Sequence, residues 1–258
     1  MRRIFVFVNQ KGGVGKTTSA LNIGAYMAES GKNVLLVDFD SQANLSSGIG
    51  IKSEKNGIYE VISGKIPVEQ AVKKTVCDGL SIIPASMDLS GATVELINQK
   101  RYDQFLKKAL LPLAKIYDYI LIDCPPSLGV LTLNGLAAAN GVLIPMQCEY
   151  FALEGLSMLL QTIKRIQQSI NPDLAIDGIF FTMYDQRTRL AQQVVKHVGV
   201  YFKDRVFSTI IPRNVRLSEA PSHGLPISKY DAACQGALAY KNLANELMRF
   251  TEDKYGRD

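Results

Sequence analysis

Along the chain, short apolar runs alternate with longer stretches in which apolar residues recur every three or four positions. The short runs are IFVFV (4–8), NVLLVD (33–38), LSIIPA (80–85), YILID (119–123), GVLIPM (141–146), AIDGIFFTM (175–183) and VFSTII (206–211). Several are apolar without alternation, the pattern of strands covered on both faces by helices. The periodic stretches predict helices over 16–30, a cluster from about 56 to 74, 89–116, 131–139, 153–169, 188–202 and 233–250. Strand–helix alternation from end to end specifies an α/β fold: a doubly wound, mostly parallel sheet with helices on both faces. Pro/Gly punctuation, as in CPPSLG (124–129) and RNVRLSEAPSHGLP (213–226), falls at strand ends, where such sheets place their ligands. No repeat, low-complexity tract or linker interrupts the pattern, so residues 1–258 are expected to form one domain.

Composition narrows the class. A chain of 258 residues can bury one substantial core, and 47% hydrophobic against 21% charged residues excludes a disordered or fibrous protein. No apolar run approaches the ~20 residues that a membrane span requires. The N-terminal MRRIFVFVNQ is basic then apolar, as a secretion signal is, but it runs straight into a glycine-rich loop with no small-residue cleavage site. It reads as a buried strand, and a cytoplasmic location is expected. Cys77, Cys124, Cys148 and Cys234 are far apart with no C-x-x-C pair, which suits reduced core thiols.

Candidate chemistry begins at VNQKGGVGKTT (8–18), which follows the first apolar strand and opens a helix, the context a phosphate-binding loop requires. Gly12, Gly13 and Gly15 free the backbone to turn N–H groups onto phosphates, and the helix start adds its positive dipole end. Lys16 neutralises the β- and γ-phosphates, and the Thr17 hydroxyl can ligate Mg²⁺. Val14 and Thr18 complete the candidate nucleotide-contacting set. The standard pattern G-x-x-x-x-G-K-[ST] needs glycine at position 10; Gln10 stands there instead, and a second lysine, Lys11, precedes the glycines.

Three aspartates sit where a nucleotide site would use them. Asp38 and Asp40 close the second strand in LLVDFDSQAN, and Asp123 closes another in YILIDCPPS. A carboxylate at a strand end beside the phosphate loop can hold Mg²⁺ or its water. Singly, each could equally cap a helix or satisfy a turn. Three together are poorly explained that way.

The loop K-G-G-x-G-K-T resembles the deviant Walker A motif of the ParA/MinD group of P-loop ATPases. VDFDSQANLSSGIG, LIDCPPSLGVLTLNGL, CEYFALEGL, TMYDQRTRL and IPRNVRLSEAPSHG extend the likeness, specifically to ParA/Soj partition ATPases, over residues 4 to about 231. The resemblance implies that Lys11 crosses a homodimer interface to the partner chain's nucleotide, supplying a cation in trans as an arginine finger does. It implies ATP and Mg²⁺ as cofactors, Asp123 as the Walker B residue, Asp38 in the Mg²⁺ shell and Asp40 positioning the attacking water. Lys11, Lys16 and Asp40 are then the catalytic set, and hydrolysis should be slow in the lone chain. Pro212 and Asn214, in IPRN, would contact adenine; x-Pro-x-Asn is also ordinary turn chemistry. Two departures stand out: Cys234 occupies a position where relatives often carry serine, and no segment for a helix-turn-helix precedes the first strand. Specific operator binding is therefore not expected.

Charge adds a partner. Between 187 and 216 seven basic residues face one acidic residue, +6, so with a net charge of +5 the rest of the chain sums to −1. The family likeness implies that this stretch binds non-specific double-stranded DNA in the ATP-bound dimer, and that a ParB/Spo0J-like centromere-binding protein stimulates hydrolysis. Backbone phosphate contacts of this kind are sequence-blind and salt-dependent. Lys196, Lys203, Arg205 and Arg216 are the leading DNA candidates; Arg187 and Arg189 stand either there or at the dimer interface. On a helix over 188–202, Arg189, Lys196 and Lys203 would share one face, and Leu190, Val194 and Val198 an apolar one. The ATPase would then be nucleoid-associated.

Three rivals remain in view. A MinD-type membrane switch would end in a basic amphipathic helix. Here Leu243, Leu247 and Phe250 form a short stripe, while the last seven residues hold Glu252, Asp253 and Asp258 against Lys254 and Arg257, which suits core closure and no membrane contact. An iron–sulfur ATPase needs converging cysteines, and Cys124 has no spaced companion. A metabolic kinase or ligase on this fold would leave the regional charge unexplained.

Overall fold

The structure is a computed structural model that describes residues 3–52, 55–97, 99–150 and 152–256. Arg257 and Asp258 of the tail lie outside the described residues. The first half of the chain runs β1 (Arg3–Phe7), α1 (Lys16–Glu29), β2 (Val34–Asp38), α2 (Asn44–Gly48), α3 (Ile58–Ile62), α4 (Val68–Ala71), β3 (Lys73–Lys74), β4 (Leu80–Ile83), α5 (Leu89–Ile97) and α6 (Phe105–Leu110). The second runs β5 (Tyr119–Asp123), α7 (Val130–Ala138), β6 (Gly141–Gln147), α8 (Ala152–Ser169), β7 (Ala175–Thr182), α9 (Arg189–Phe202), α10 (Arg216–Glu219), α11 (Ile227–Tyr230) and α12 (Gln235–Tyr255).

Seven strands form one sheet in the order β3-β4-β2-β5-β1-β6-β7, parallel except for the short β3 at one edge. The near-continuous apolar runs follow from its two-sided burial. Phe5, Phe7, Leu36 and Leu121 enter one core with α1 and α12, whereas Val6, Val8, Leu35, Ile120 and Ile122 enter another beneath α3 and α5–α9. Successive side chains alternate between faces, and both faces need apolar residues.

The expected strand at 206–211 is not one. It makes only an isolated bridge to β7 (Ile179–Val206), with backbone bonds from Phe207 to Ile179 and from Ile211 to Phe181. Between them the Glu246 carboxylate on α12 accepts the Ser208 and Thr209 N–H groups (2.6 and 3.0 Å), donors a strand would give to its ladder. The Phe207 ring fills the space beside Gly178 of β7 that any side chain would take.

The helical cluster expected at 56–74 is two short helices, α3 and α4, parted where Gly64 takes φ 73° and Pro67 caps α4. One expected helix is broken. The long 89–116 segment stops after Ile97 and resumes at Phe105, with Arg101 at φ 58°. Asn134 of α7 holds this break, donating to the Tyr102 carbonyl (2.7 Å) and accepting from the Leu106 N–H (3.2 Å). The helix expected at 233–250 extends to Tyr255, and its Leu243 and Leu247 are fully buried in the core. No described helix is long and apolar enough to cross a membrane.

Candidate nucleotide site and basic surface

Register assembles the site. Parallel β1, β2 and β5 end together, pairing Asp38 with Asp123 and Phe7 with Asp123. Both carboxylates therefore lie under the loop that leaves β1. That loop opens α1 through Gly15, at φ 84° and ψ 24°, a left-handed cap with no side chain covering the helix's first N–H groups. Gly13 is also left-handed (φ 74°), and nothing lies within 4 Å of where its Cβ would be. Here it is the backbone conformation, not crowding, that calls for glycine. Left-handed residues alternating with Val14 turn successive N–H groups inward, forming an anion-binding concavity.

Gly12, Gly13, Gly15, Lys16, Thr17 and Thr18 line a cavity of about 570 Å³, with Asp40 on its wall. Lys16 is 6% exposed; its ammonium donates to the Asn9 carbonyl (3.2 Å) and the Lys11 carbonyl (3.4 Å). Burial lowers its pKa, opposed by the charges of Asp123, Cys124 and Asp40. Val14 is buried and anchors the loop.

The three aspartates differ sharply. Asp38 is fully buried and its oxygens are taken: it accepts from the Ser46 N–H (2.8 Å), the Ser46 hydroxyl (2.6 Å) and the Asp40 N–H (3.3 Å). Burial pushes its pKa up to about 6 against those hydrogen bonds. Asp123 is equally buried, and among the described residues neither carboxylate oxygen has a well-formed hydrogen bond, although the Thr17 hydroxyl lies close enough to favour its charge. Burial, then the Asp38 charge, pushes it up to about 8, with Thr17 and Lys16 pulling the other way. Asp40 is half-buried on the cavity wall, its carboxylate accepting the Gln42 N–H (3.1 Å).

An orphaned buried carboxylate beside a threonine hydroxyl at a phosphate loop fits a cation. Among the described residues, no group of three or more His, Cys, Asp or Glu converges on a metal-sized site. Mg²⁺ suits such a place, since it usually takes one or two protein ligands and completes its shell with water and substrate phosphates. Of the expected ligands, Thr17 and Asp123 have the free donor atoms, whereas Asp38 is engaged in holding the turn into α2.

Lys11 behaves unlike Lys16. Its side chain is 48% exposed, does not line the nucleotide cavity, and pairs with Glu149 just beyond β6. Pro212 and Asn214 also lie off the cavity lining. Pro212 bridges to Tyr184, and Asn214 accepts the Arg216 N–H (2.9 Å) at the start of α10. Met183, Pro221 and Ser222 wall the cavity instead, residues the sequence reading passed over. Met183 holds φ 49°, unusual for a non-glycine residue and the one local oddity at this wall.

The basic candidates are all exposed. Lys196 lies on α9, and Lys203 and Arg205 on the 3-10 turn after it, so the expected single helical face ends before Lys203. The buried side of α9 is Ala191, Val194 and Val198; Leu190 is 39% exposed, because Ala191 takes the inward position. Lys196, Lys203 and Arg205 have no ion pair among the described residues, whereas Arg216 pairs with Glu219 (2.8 Å) and Asp231 (3.5 Å). Arg187 pairs with Asp185 (2.7 Å). All four cysteines are free, and Cys234 caps α12, its Sγ accepting the Ala237 N–H (3.3 Å).

A mostly parallel sheet with a glycine-rich loop, a buried lysine and a strand-end aspartate at the carboxyl ends of its central strands defines a P-loop nucleotide-binding protein. A family described as an AAA domain matches residues 2–176. A chromosome-partitioning ATPase Soj of Treponema pallidum is 62% identical over 96% of this chain and 98% of its own. The sporulation initiation inhibitor protein Soj of Bacillus subtilis is 50% identical over 96% and 98%. A crystal structure described as cobyrinic acid a,c-diamide synthase from Mycobacterium smegmatis, with bound ATP analog and magnesium, superposes with a TM-score of 0.85 at 38% identity, over 100% of this chain and 98% of that one. The chain belongs to the Soj/ParA family of chromosome-partitioning ATPases.

Proposed function

We propose that this chain is an ATP-driven switch for DNA partition: ATP and Mg²⁺ join two copies, the dimer rests on bulk DNA, and a ParB/Spo0J-like partner triggers hydrolysis and release. The observation that carries the reading is the contrast between the two loop lysines. Lys16 is buried over its own loop, whereas Lys11 is half-exposed and turned out of the cavity its loop builds. A cation so placed is suited to reach a nucleotide held by a second copy. Nucleotide and dimer then become one linked equilibrium.

Within each copy the loop N–H groups and Lys16 bind the phosphates, and Thr17 with Asp123 holds Mg²⁺. An ion held by Thr17 and Asp123 would supply positive charge against the charge that develops on the phosphates. Asp40, on the cavity wall and outside the metal pair, orients the attacking water. Lys11 of the second copy completes the site, so hydrolysis by one copy alone is slow. Lys196, Lys203 and Arg205, free of acidic partners among the described residues, face DNA phosphates. Arg216 contributes less, because Glu219 and Asp231 already offset it. The protein works in the cytoplasm, on the nucleoid.

The test uses Asp40→Ala protein with random-sequence duplex DNA and, in parallel, anionic liposomes, each with ATP and with ADP across a salt series. ATP-dependent DNA binding that falls steeply with salt is expected. Liposome binding without DNA binding would move the chain to a membrane-positioning role, and normal hydrolysis by Asp40→Ala would overturn the assignment of Asp40.

A further inference from the structure

Two consecutive carbonyls of the phosphate loop are gripped from strands far away in the sequence. The Gly13 carbonyl accepts from Gln147 Nε2 (3.2 Å), at the end of β6, and the same amide donates to Met183 Sδ (2.8 Å). The Val14 carbonyl accepts from Thr182 Oγ1 (2.8 Å), the last residue of β7 and 1% exposed. Both acceptors of Gln147 lack a proton, which fixes its amide with nitrogen toward the loop.

A trans peptide points its C=O and N–H in opposite directions, and the described chain has no cis peptide. Anchoring the Gly13 carbonyl outward therefore turns the Val14 N–H inward. Anchoring the Val14 carbonyl does the same for the Gly15 N–H. The left-handed Gly13 and Gly15 permit this geometry but do not select it, since glycine populates many others.

We propose that Thr182 and Gln147 are positioning residues that pre-set the phosphate-binding N–H groups of Val14 and Gly15. The inference rests on the nucleotide reading above and extends it to two residues outside the loop motif. Neither needs to touch nucleotide: each acts through a loop carbonyl. Losing one grip frees a peptide to rotate, and binding must then restore its orientation. The cost falls on the β-phosphate, which this loop cradles, and spares the rest of the ligand.

The experiment measures binding of Mg–ADP and of AMP by calorimetry to wild type, Thr182→Val, Thr182→Ser and Gln147→Leu, with a thermal melt of each. Thr182→Val keeps the shape and removes the donor; it should weaken ADP binding roughly five- to tenfold, the worth of one hydrogen bond, and leave AMP unchanged. Thr182→Ser keeps the hydroxyl and should restore ADP binding. Gln147→Leu, at a half-buried position, should repeat the ADP-selective loss with little change in melting temperature. ADP affinity unchanged in both donor-less variants would overturn the proposal, as would equal loss of ADP and AMP or failure of Thr182→Ser to rescue. If wild type itself binds no ADP, the nucleotide reading falls instead.

Discussion

Replacing Asp123 by asparagine should stabilise the nucleotide-free protein at pH 8 far more than at pH 5. Burial and the neighbouring Asp38 charge raise its pKa from 3.8 to about 8, and the nearby Thr17 hydroxyl only partly offsets them. Between those values the unfolded chain has released a proton that the folded chain keeps. The unfolded state binds fewer protons there, so stability falls as pH rises, and below 3.8 both states are protonated and the penalty vanishes. At roughly 1.4 kcal/mol per unit, the penalty is about 2 kcal/mol at pH 5 and about 5 kcal/mol at pH 8. Asparagine pays its own cost for a buried amide, but that cost does not titrate and cancels between the two pH values. The advantage of Asp123→Asn over wild type should therefore grow by about 3 kcal/mol, near 10 °C in melting temperature for a domain of this size. Thermal melts with EDTA and no nucleotide measure it. Adding Mg–ADP should narrow the gap, because a cation then compensates the wild-type carboxylate. An equal melting difference at pH 5 and pH 8 would refute the reasoning, since it would mean that folded Asp123 is solvated or already ionised.

Two further substitutions test the frame around the site. Cys234→Ser puts a stronger acceptor where Sγ takes the Ala237 N–H at 3.3 Å, and should gain about 0.5–1 kcal/mol; a loss in urea melts would mean that packing of the sulfur outweighs capping. Asp177 is fully buried at the opposite end of the sheet, bound by Arg3 (2.6 Å), Lys254 (2.8 Å) and the Tyr255 hydroxyl (2.7 Å). Asp177→Asn leaves the Arg3 cation buried without its counter-charge and should cost about 3 kcal/mol, read as a shifted urea midpoint. Early proteolysis of the last turn of α12 should accompany it, and unchanged resistance would deny that this cluster fastens the helix.

Local patterning carried most of the fold and misled where tertiary contacts overrode it. Leu35, Leu36, Ile120 and Leu121 are apolar in succession because two cores lie on either side of one sheet, and that signal needs no distant information. VFSTII is also a short, mostly apolar run, but whether it joins the ladder depends on Glu246, 38 residues away from Ser208, taking its donors. The long periodic run at 89–116 reads as one helix because nothing within it announces the Asn134 side chain that holds its break. On α9 the difference is finer: Leu190 and Ala191 are neighbours, and hydropathy favours the leucine although the helix buries the alanine.

The site divides along the same line, and chemistry explains where. Phosphate recognition by backbone N–H groups needs contiguous glycines and a helix start, so Gly13, Gly15, Lys16 and Thr17 announce themselves within six residues. Met183, Pro221 and Ser222, which also wall the cavity, converge from separate segments, and no short spacing distinguishes them from Pro212 and Asn214. Thr182 is harder still to see, because a threonine closing an apolar strand looks like ordinary strand propensity. Its hydroxyl gains meaning only when β7 sets it 2.8 Å from the Val14 carbonyl, across 168 residues of chain. The motif supplies a loop able to cradle a phosphate; β6 and β7 fix which way its peptides face. Transferring the loop residues alone onto another scaffold would carry the glycines and lysines but leave the Gly13 and Val14 carbonyls unheld, and phosphate affinity should fall short by the same margin as in Thr182→Val and Gln147→Leu combined.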